Sequence, residues 1–425
     1  MRELIENSNP VLTEIHFSEN GAIIATERKP LEESSSEIMH IFFSAGEPSG
    51  DNHAAHLINE LTRRRPGLRV SGFGGSAMEA AGCHLLFPLT SMAVMGVLAV
   101  LPLIWKFYKL VKQAEQYFQR HKPDVVVLID FPGFNWWIAR KAKAAGIPVI
   151  YYMPPQLWAW GAWRIGRVRR YVDLVLSGLT FETDWYAERG IPVMYVGHPF
   201  FDEVAGHRLD ESFCREWTSE ETRTVAILPG SRKQEVCRCW PLLLNIVRQL
   251  SSRFPNVNFL VANYKETQRQ FCLREYEKLQ QPLPLTFFVG KTPEIIEIAD
   301  CAVMVSGSVS LELLARRTPF IALYRTSWLT FLMGKLVITC KFFSLPNLIA
   351  GRKIMPEYFS VGNPDPIVDS IVFDMSRWLG DPTTLAEVTA ELDQLRSQIQ
   401  CTGATRRTAD VILSWLEKPS GSVAA

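Results

Sequence analysis

The stretch Val125-Val-Val-Leu-Ile-Asp130 is a short apolar run that ends in a carboxylate, and the turn residues of Phe131-Pro-Gly-Phe-Asn135 follow it at once. An apolar run of this length, bounded by turn signals, is typical of a strand buried on both faces of a parallel sheet. Similar runs recur along the chain and alternate with amphipathic stretches. This alternation predicts an α/β fold in which helices cover parallel sheets.

The predicted strands fall into two series, which favours two doubly wound domains over one. The first series is His40–Ser44, Val125–Asp130, Pro148–Met153, Leu174–Leu176 and Val193–Val196. The second series is Val225–Pro229, Asn258–Ala262, Thr286–Val289, Cys301–Val305 and Phe320–Tyr324. The polar segment between them, Phe201–Thr222, is the predicted linker.

These series predict one α/β domain over residues 38–202 and a second over 203–360, facing each other across a cleft. Residues 366–417 carry apolar positions at helical spacing. We therefore expect C-terminal helices over 361–425 that pack back on the first domain. Residues 1–37 show no sustained period and are expected to form a flexible extension.

Composition and charge narrow the class of protein. The chain has 425 residues, of which 47% are hydrophobic and 21% charged, with a net charge of +1. Such a chain is an ordinary folded protein without the strongly basic domain of a nucleic-acid binder. Its eight cysteines form no CxxC pair, which favours reduced thiols over a zinc site. Residues 1–37 lack the apolar stretch of a signal peptide, so a cytoplasmic protein is expected.

A cleft ligand is predicted at three junctions where a strand opens into a helix through small residues. The first junction is Ser44-Ala-Gly-Glu-Pro-Ser-Gly-Asp51, which would bring Glu47, Ser49 and Gly50 to the cleft. Glycine lets a ligand approach the backbone closely, and the helix that follows offers unpaired N–H groups. A tight turn with a capped helix explains the same residues equally well.

The other two junctions predict a nucleotide diphosphate pocket in the second domain. Leu228-Pro-Gly-Ser-Arg232 places Gly230, Ser231 and Arg232 at a helix start, where an arginine is favourable only beside an anion. Val303-Met-Val-Ser-Gly-Ser-Val-Ser-Leu-Glu312 offers hydroxyls and N–H groups from Ser306, Gly307 and Ser308. Glu312 would accept hydrogen bonds from a ribose, although a favourable contact with the helix dipole is an equal alternative.

No cofactor or metal is predicted for this pocket. The chain contains no Asp-x-Asp, so the paired carboxylates that hold a diphosphate-bound metal are missing. Gly72-Phe-Gly-Gly-Ser-Ala77 matches a dinucleotide fingerprint, but no acidic residue stands near position 95. A dehydrogenase is therefore the weaker interpretation.

Asp130 is the predicted catalytic base. A carboxylate at the carboxyl end of an apolar strand faces the cleft and has a raised proton affinity. The alternative is that Asp130 caps the turn that follows it. His198, in Gly197-His-Pro199, contacts substrate or closes a turn, and the two interpretations are even.

The apolar stretch Met92–Trp105 is too short to span a bilayer and contains Pro102. On a helix it would place one apolar face beside lysines, which is typical of an interfacial membrane helix. The predicted membrane contacts are Val94, Val97, Leu98, Leu101 and Trp105. A core helix is an equal alternative. Trp328–Phe343 is a second candidate.

These residues together resemble the lipid-A-disaccharide synthase family. The resemblance runs from about Met39 to about Leu416 and rests on motifs in the same order along the chain. They are Ala45-Gly-Glu-Pro-Ser-Gly-Asp51, Ala93-Val-Met-Gly96, Ile129-Asp-Phe-Pro-Gly-Phe-Asn135, Pro155-Gln-Leu-Trp-Ala-Trp160, Gly197-His-Pro199, Leu228-Pro-Gly-Ser-Arg232 with Glu235, Ser306-Gly-Ser308 with Glu312, and Ser344-Leu-Pro-Asn-Leu-Ile-Ala-Gly-Arg352.

The resemblance implies a GT-B glycosyltransferase that inverts the anomeric carbon. It would move 2,3-diacylglucosamine from UDP to lipid X, which is 2,3-diacylglucosamine 1-phosphate, and form a β-1,6-linked disaccharide with release of UDP. Asp130 would be the base for the 6-hydroxyl of the acceptor. Arg232, Ser306, Gly307, Ser308, Glu312 and Asn347 would hold UDP. The family also implies peripheral association with the cytoplasmic face of the inner membrane, and dimers that exchange C-terminal segments.

One departure from the family pattern lies beside the predicted base. Family members usually carry a second acidic residue where this chain has Gly133. Two alternatives stay open, and the Gly133 departure supports only the second. One is a related UDP-sugar transferase or epimerase with a soluble substrate, and the other is a UDP-sugar or lipid-binding protein without catalysis.

Overall fold

The computed structural model describes residues 15–17, 23–25, 38–92, 104–219, 221–305, 307–399 and 402–417. Within the first 37 residues it contains two short strands, β1 (Ile15–Phe17) and β2 (Ile23–Ala25), which pair antiparallel. The sequence prediction did not include this pair. The rest of the predicted extension lies outside the described residues.

A seven-stranded parallel sheet forms the first domain. Its strands run in the order β5-β4-β3-β6-β7-β8-β9. They are β3 (His40–Ala45), β4 (Arg69–Gly74), β5 (His84–Pro88), β6 (Val125–Ile129), β7 (Val149–Tyr152), β8 (Leu174–Ser177) and β9 (Val193–Tyr195).

A six-stranded parallel sheet forms the second domain, in the order β12-β11-β10-β13-β14-β15. Its strands are β10 (Arg223–Leu228), β11 (Val257–Asn263), β12 (Leu285–Val289), β13 (Cys301–Val305), β14 (Phe320–Arg325) and β15 (Glu357–Ser360). The predicted class of two doubly wound parallel-sheet domains is confirmed.

Helices cover both sheets. In the first domain they are α1 (Pro48–Arg64), α2 (Ser76–Ala80), α3 (Ile104–His121), α4 (Pro132–Ala144), α5 (Leu157–Trp160), α6 (Ile165–Tyr171) and α7 (Thr180–Ala187). The helices that follow are α8 (Pro199–Gly206), α9 (Glu211–Trp217), α10 (Lys233–Arg253), α11 (Glu266–Tyr276), α12 (Thr292–Ile298), α13 (Val309–Arg316), α14 (Trp328–Val337) and α15 (Leu345–Ala350). The C-terminal helices are α16 (Asp365–Gly380), α17 (Pro382–Gln398) and α18 (Ala404–Glu417).

The strand β6 shows why the sequence of a central strand is apolar without interruption. Its side chains alternate between two cores, with Val126 and Leu128 on one face and Val125, Val127 and Ile129 on the other. All five are fully buried. Because helices cover both faces, a polar residue at any of these positions would be removed from water without a partner.

The chain crosses between the domains through helices rather than through an extended linker. The segment predicted as linker contains most of α8 and all of α9, and Phe201 of α8 packs in the core of the second domain. The helices α16 and α17 also contribute to the cores of the second domain. The predicted return to the first domain is made by α18, whose Ala409 and Ile412 join the core beneath β3.

Both sheets have a switch point, where the chain continues first toward one edge and then toward the other. In the first sheet it lies between β3 and β6, and in the second between β10 and β13. Ligands of open α/β sheets bind outside the carboxyl ends of the strands at such points. The predicted base and the predicted diphosphate pocket therefore lie at the switch points of the two domains.

Candidate active site

Asp130 lies at the switch point of the first sheet, directly after β6. Its carboxylate faces the start of α1, because a Cβ atom built on Gly50 would stand 3.5 Å from Oδ2 of Asp130. Glu47 and Ser49 are exposed at the same helix start. The structure thus brings Glu47, Ser49 and Gly50 to one place with Asp130, and their contact with an acceptor stays a prediction.

The backbone around Asp130 is strained. Asp130 and Phe131 have φ values of 45°, and Met153, at the end of the neighbouring strand β7, has a φ of 51°. Residues other than glycine rarely adopt this left-handed region, and such strain persists only where surrounding contacts impose it. Here the carbonyl oxygen of Asp130 accepts hydrogen bonds from Nδ2 of Asn135 at 2.8 Å and from the Tyr151 hydroxyl at 2.7 Å.

The pKa of Asp130 is raised to about 7, chiefly because burial penalises its charged form. The positive field of His53 opposes this shift, and the negative charge of Glu47 adds to it. In the described part of the chain, no group donates a hydrogen bond to this carboxylate. A carboxylate with a pKa near neutrality and a free oxygen is suited to accept a proton from a substrate hydroxyl.

Two histidines line the same region. His53 is buried on α1, and its Nδ1 lies 2.8 Å from Oε1 of Glu203, which orients the ring. The ring of His198 stands 6.1 Å from that of His53. Burial lowers the pKa of His198 to about 3, so the ring is neutral. Its Nδ1 accepts the N–H of Phe200 and caps α8, which leaves Nε2 as the protonated nitrogen.

Asn135 lies beneath the loop and not on its surface. It is fully buried, its Oδ1 accepts from the Ser44 hydroxyl at 2.7 Å, and its Nδ2 donates to the carbonyls of Ser44, Ile129 and Asp130. The sequence predicted Asn135 as an acceptor or cleft residue. The structure gives it the role of joining β3 to β6 and holding the backbone of Asp130.

Glu182 is a buried carboxylate that the sequence did not indicate. It accepts hydrogen bonds from Nε1 of Trp158 at 2.9 Å and from the Ser177 hydroxyl at 2.7 Å. Burial raises its pKa to about 7. Trp158 also joins the two domains, because its carbonyl oxygen accepts from the Thr339 hydroxyl at 2.7 Å. Glu182 therefore fixes a loop at which the domains touch.

A pocket of about 430 Å³ lies at the switch point of the second sheet. Five predicted donor-binding residues line it together, namely Gly230, Ser231, Gly307, Ser308 and Glu312. Gly230 has a φ of 103°, which only glycine adopts without strain. The side chain of Glu312 is buried and paired with Nε of Arg316 at 3.2 Å. Ser306 lies outside the described residues.

Arg232 stands at the edge of this pocket rather than in its wall. Its side chain is 59% exposed and pairs with Oε1 of Glu235 at 2.9 Å. Such an exposed pair on one helix turn is weak and easily exchanged for another anion. Among the residues that the structure describes, no histidine, cysteine or acidic side chains cluster in a way that could hold a metal ion.

Asn263 is a second residue that sequence reasoning missed. It ends β11, lines the pocket and is fully buried. Its Nδ2 makes only long contacts of 3.4 Å with the carbonyls of Val261 and Phe288, and its Oδ1 has no partner. A buried acceptor without a protein donor is unfavourable, and a ligand N–H would satisfy it.

Asn347 does not line the pocket. Its amide is fully buried and bonded, since Oδ1 accepts from the N–H groups of Ile354 and Met355 while Nδ2 donates to Met355 and Glu357. Glu357 also accepts from the N–H groups of Phe343 and Ser344. The structure therefore gives Asn347 the role of folding the Ser344–Arg352 loop, and its contact with UDP stays a prediction.

The glycine-rich loop after β4 is occupied by Asp51. The carboxylate of Asp51 accepts hydrogen bonds from the N–H groups of Gly75, Ala77 and Met78 at 2.7 to 3.2 Å. These are the groups that a dinucleotide phosphate would need. The N–H groups of this loop therefore bind a carboxylate of the same protein, which explains why the loop resembles a dinucleotide fingerprint.

Of the predicted membrane contacts, Val94, Val97, Leu98 and Leu101 lie outside the described residues. Trp105, at the start of α3, is 75% exposed. The second candidate contains α14, on which Trp328 and Leu329 are 67% and 68% exposed. None of the helices that the structure describes is long and apolar enough to cross a bilayer.

Comparison with known proteins places these features in a family. Residues 41–367 match the family model described as lipid-A-disaccharide synthetase. The chain is 36% identical to the lipid-A-disaccharide synthase of Myxococcus xanthus over 386 residues, which are 90% of this chain and 98% of that protein. It is 35% identical to the lipid-A-disaccharide synthase of Syntrophus aciditrophicus over 380 residues, which are 89% of this chain and 98% of that protein.

Solved structures share the fold at low sequence identity. MnaA of S. aureus in complex with UDP aligns with a TM-score of 0.61 and 13% identity, covering 90% of this chain and 99% of that one. The calicheamicin glycosyltransferase CalG4 aligns with a TM-score of 0.57 and 14% identity, covering 89% and 98%. At this level of identity the likeness concerns the two-domain fold alone.

Proposed function

Since the chain belongs to the lipid-A-disaccharide synthase family, we propose that this glycosyltransferase of lipid A biosynthesis joins two acylated sugars. The donor is UDP-2,3-diacylglucosamine and the acceptor is 2,3-diacylglucosamine 1-phosphate. The products are UDP and the β-1,6-linked disaccharide 1-phosphate.

One observation carries the proposal: Asp130, with a pKa near 7, lies at the switch point of one sheet, and a small-residue pocket lies at the switch point of the other. An inverting transfer needs a base on the acceptor side and a leaving-group site on the donor side. The two domains supply one each.

The proposed reaction proceeds in one displacement. The 6-hydroxyl oxygen of the acceptor attacks the anomeric carbon from the face opposite UDP, while Asp130 takes the hydroxyl proton. The bond from the anomeric carbon to the β-phosphate oxygen breaks, and its electron pair leaves with UDP. Burial raises the pKa of Asp130 to about 7, close to neutral pH, so that a useful fraction is ionised and the ionised form is a stronger base than an ordinary carboxylate.

UDP is held by the second domain in this proposal. Ser231, Gly307 and Ser308 supply hydroxyl and N–H donors to the phosphates, and Glu312 accepts from the ribose. Arg232 exchanges Glu235 for the diphosphate, whose larger charge makes the stronger hydrogen bonds. The unpartnered oxygen of Asn263 accepts an N–H of the ligand.

The lipid substrates require access to a membrane surface. The exposed apolar residues of α14 and Trp105 support peripheral contact with a bilayer, which we propose to be the cytoplasmic face of the inner membrane. Trp and Leu side chains at such a boundary bury their apolar parts among lipid chains.

The test is transfer by purified protein in the presence of EDTA. With UDP-2,3-diacylglucosamine and 2,3-diacylglucosamine 1-phosphate, we expect release of one UDP for each disaccharide formed. Folded protein that binds UDP and releases none would contradict the proposal. Turnover of UDP-N-acetylglucosamine without lipid would show instead a soluble sugar substrate.

A further inference from the structure

An apolar groove lies beside the loop that carries Asp130. It has a volume of about 540 Å³ and runs between α3 and the first turns of α4. Ile104, Phe107, Tyr108 and Val111 line one side, and Phe131, Gly133, Phe134 and Trp137 line the other. This volume is within the ~300–1,000 Å³ of ordinary ligand pockets.

The floor of the groove is continuous with the core of the first domain. Val111 and Phe134 are almost fully buried there, and the ring of Phe107 lies 5.6 Å from that of Phe134. The rim is different, because Ile104, Tyr108 and Trp137 are each at least half exposed. Apolar side chains that surround an open groove gain free energy when an apolar ligand removes them from water.

The groove begins next to the reacting centre. Phe131 follows Asp130 in the chain and also lines the groove, and its ring lies against Gly46 at the end of β3. An occupant of the groove would therefore hold a substrate on the acceptor side of Asp130. The donor pocket is formed mainly by the other domain.

Gly133 keeps the mouth of this groove open. A Cβ atom built on Gly133 would meet nothing within 4 Å, so the absence of a side chain leaves empty space at the rim. An acidic side chain at this position would place a charged group at an apolar entrance. A buried or half-buried charge without a partner opposes the entry of a hydrocarbon chain.

One end of the groove is cationic. Lys112, Arg140 and Lys141 line it, and Glu115 pairs with the two lysines at 3.1 and 2.7 Å. Three positive charges against one carboxylate leave a local positive excess that draws anionic ligands toward this face of the domain. Arg140 is exposed, and no carboxylate in the described part of the chain pairs with it.

We propose that this groove is a binding site for one acyl chain of the phosphorylated acceptor, and that Gly133 admits the chain. The identity of the acceptor rests on the proposed function, whereas the site itself rests on the groove. The apolar floor takes the hydrocarbon, while the sugar stays at the end of the groove beside Asp130.

The first experiment locates the bound acyl chain on the protein. A glucosamine 1-phosphate that carries a tetradecanoyl chain with a terminal diazirine is irradiated with the full-length protein, and labelled peptides are mapped. We expect labels within residues 104–111 and 131–137, removed by excess unlabelled diacylglucosamine 1-phosphate. A phosphatidylcholine with the same diazirine chain is the control. Equal labelling by that control, or labels elsewhere, would overturn the proposal.

The second experiment tests Gly133 by binding. Affinity is measured for glucosamine 1-phosphates with butanoyl, octanoyl and tetradecanoyl chains, and is expected to rise by up to about fourfold for each methylene that the groove buries. Gly133→Phe should remove most of this dependence, whereas Gly166→Phe, at another exposed helical glycine with open space around it, should retain it. UDP affinity checks that both variants are folded.

The outcomes separate this proposal from the proposed function. Labels in the groove without UDP release would support the acyl-chain site and contradict the proposed transferase reaction. Sugar transfer together with an unchanged dependence on acyl-chain length in Gly133→Phe would support the transferase reaction and contradict the acyl-chain site. A further outcome is a cross-link from Gly133→Cys to residues 93–103 that prevents labelling by the probe. It would show that this segment of the protein occupies the groove, and it would overturn the proposal.

Discussion

The two switch points are built from the same strand-turn-helix unit but differ in what they leave in contact with water. In the first domain, a strained backbone holds the carboxylate of Asp130 where burial raises its pKa to about 7. In the second, small residues surround a pocket at whose edge Arg232 is well exposed. Burial of one ionisable group suits proton transfer, whereas open donors suit the binding of a highly charged phosphate. The difference predicts that chemistry and nucleotide binding can be separated by mutation.

The largest expected effect is that of Asp130→Asn. This change keeps the size and polarity of the side chain and removes the base, so turnover should fall by about 10²–10⁴-fold. UDP affinity should barely change, because the pocket belongs to the other domain. Steady-state rates and calorimetric UDP binding measure the two quantities. A variant that loses UDP binding but keeps normal turnover at saturating donor would assign Asp130 to the donor site.

The pH dependence should show the same separation. Only the ionised form of Asp130 accepts a proton, and its pKa is raised to about 7, so turnover should fall by about tenfold per unit as the pH drops below 7. Above pH 7 this limb should level. Asp130→Asn should abolish the limb in its residual activity.

Glu182 provides the control for that profile, because burial raises its pKa to about 7 as well. Glu182→Gln keeps an acceptor for Trp158 and removes the titration. If the acid limb disappears in Glu182→Gln and persists in Asp130→Asn, the titrating group is Glu182, and the contrast between the two switch points is wrong.

On the donor side, Arg232→Ala should weaken UDP binding by about 1.5–3 kcal/mol, the range of a hydrogen bond to a charged group. Arg232→Lys should restore part of this loss, since an ammonium keeps the charge but not the two parallel N–H groups. The turnover of Arg232→Ala at saturating donor should stay close to that of the wild type. Unchanged UDP affinity would remove Arg232 from the site and reopen the question of a metal.

Much of the fold could be predicted because its strands are buried on both faces. The run Val125–Ile129 and the strand Cys301–Val305 are unbroken apolar segments, and both were found. The strand Arg69–Gly74 was not among the predicted strands because it contains two glycines. The structure explains one of them, since a Cβ atom on Gly72 would lie 2.1 Å from the carbonyl oxygen of Phe43. A close approach between two strands requires glycine at this position, and the local sequence pattern does not show that requirement.

The site residues also divide into those that a local sequence pattern predicts and those whose roles depend on contacts in space. Gly230, Ser231, Gly307 and Ser308 were predicted because small residues after a strand are a local signal. Glu182 and Asn263 were missed because their roles depend on what surrounds them in space. Asn347 was assigned to UDP from a family motif, and its contact with UDP stays a prediction, because the structure shows only that its amide accepts from the N–H groups of Ile354 and Met355. A motif identifies a residue that matters, and only the contacts show whether it binds or positions.

The smallest predicted effect tests whether the open pocket has a buried polar anchor. Asn263→Leu keeps a similar shape and removes the unpartnered Oδ1, so UDP binding should weaken by about 0.5–1.5 kcal/mol, the net range of a neutral hydrogen bond. Asn258→Leu, five residues earlier on the same strand, is the matched control and should leave UDP affinity unchanged. Because Nδ2 of Asn263 makes only long contacts, its loss should cost little stability, and thermal unfolding without ligand should be nearly the same in both variants. Tighter UDP binding in Asn263→Leu would mean that the oxygen stays unpaired in the complex, so that the second switch point would bind UDP through its exposed donors alone.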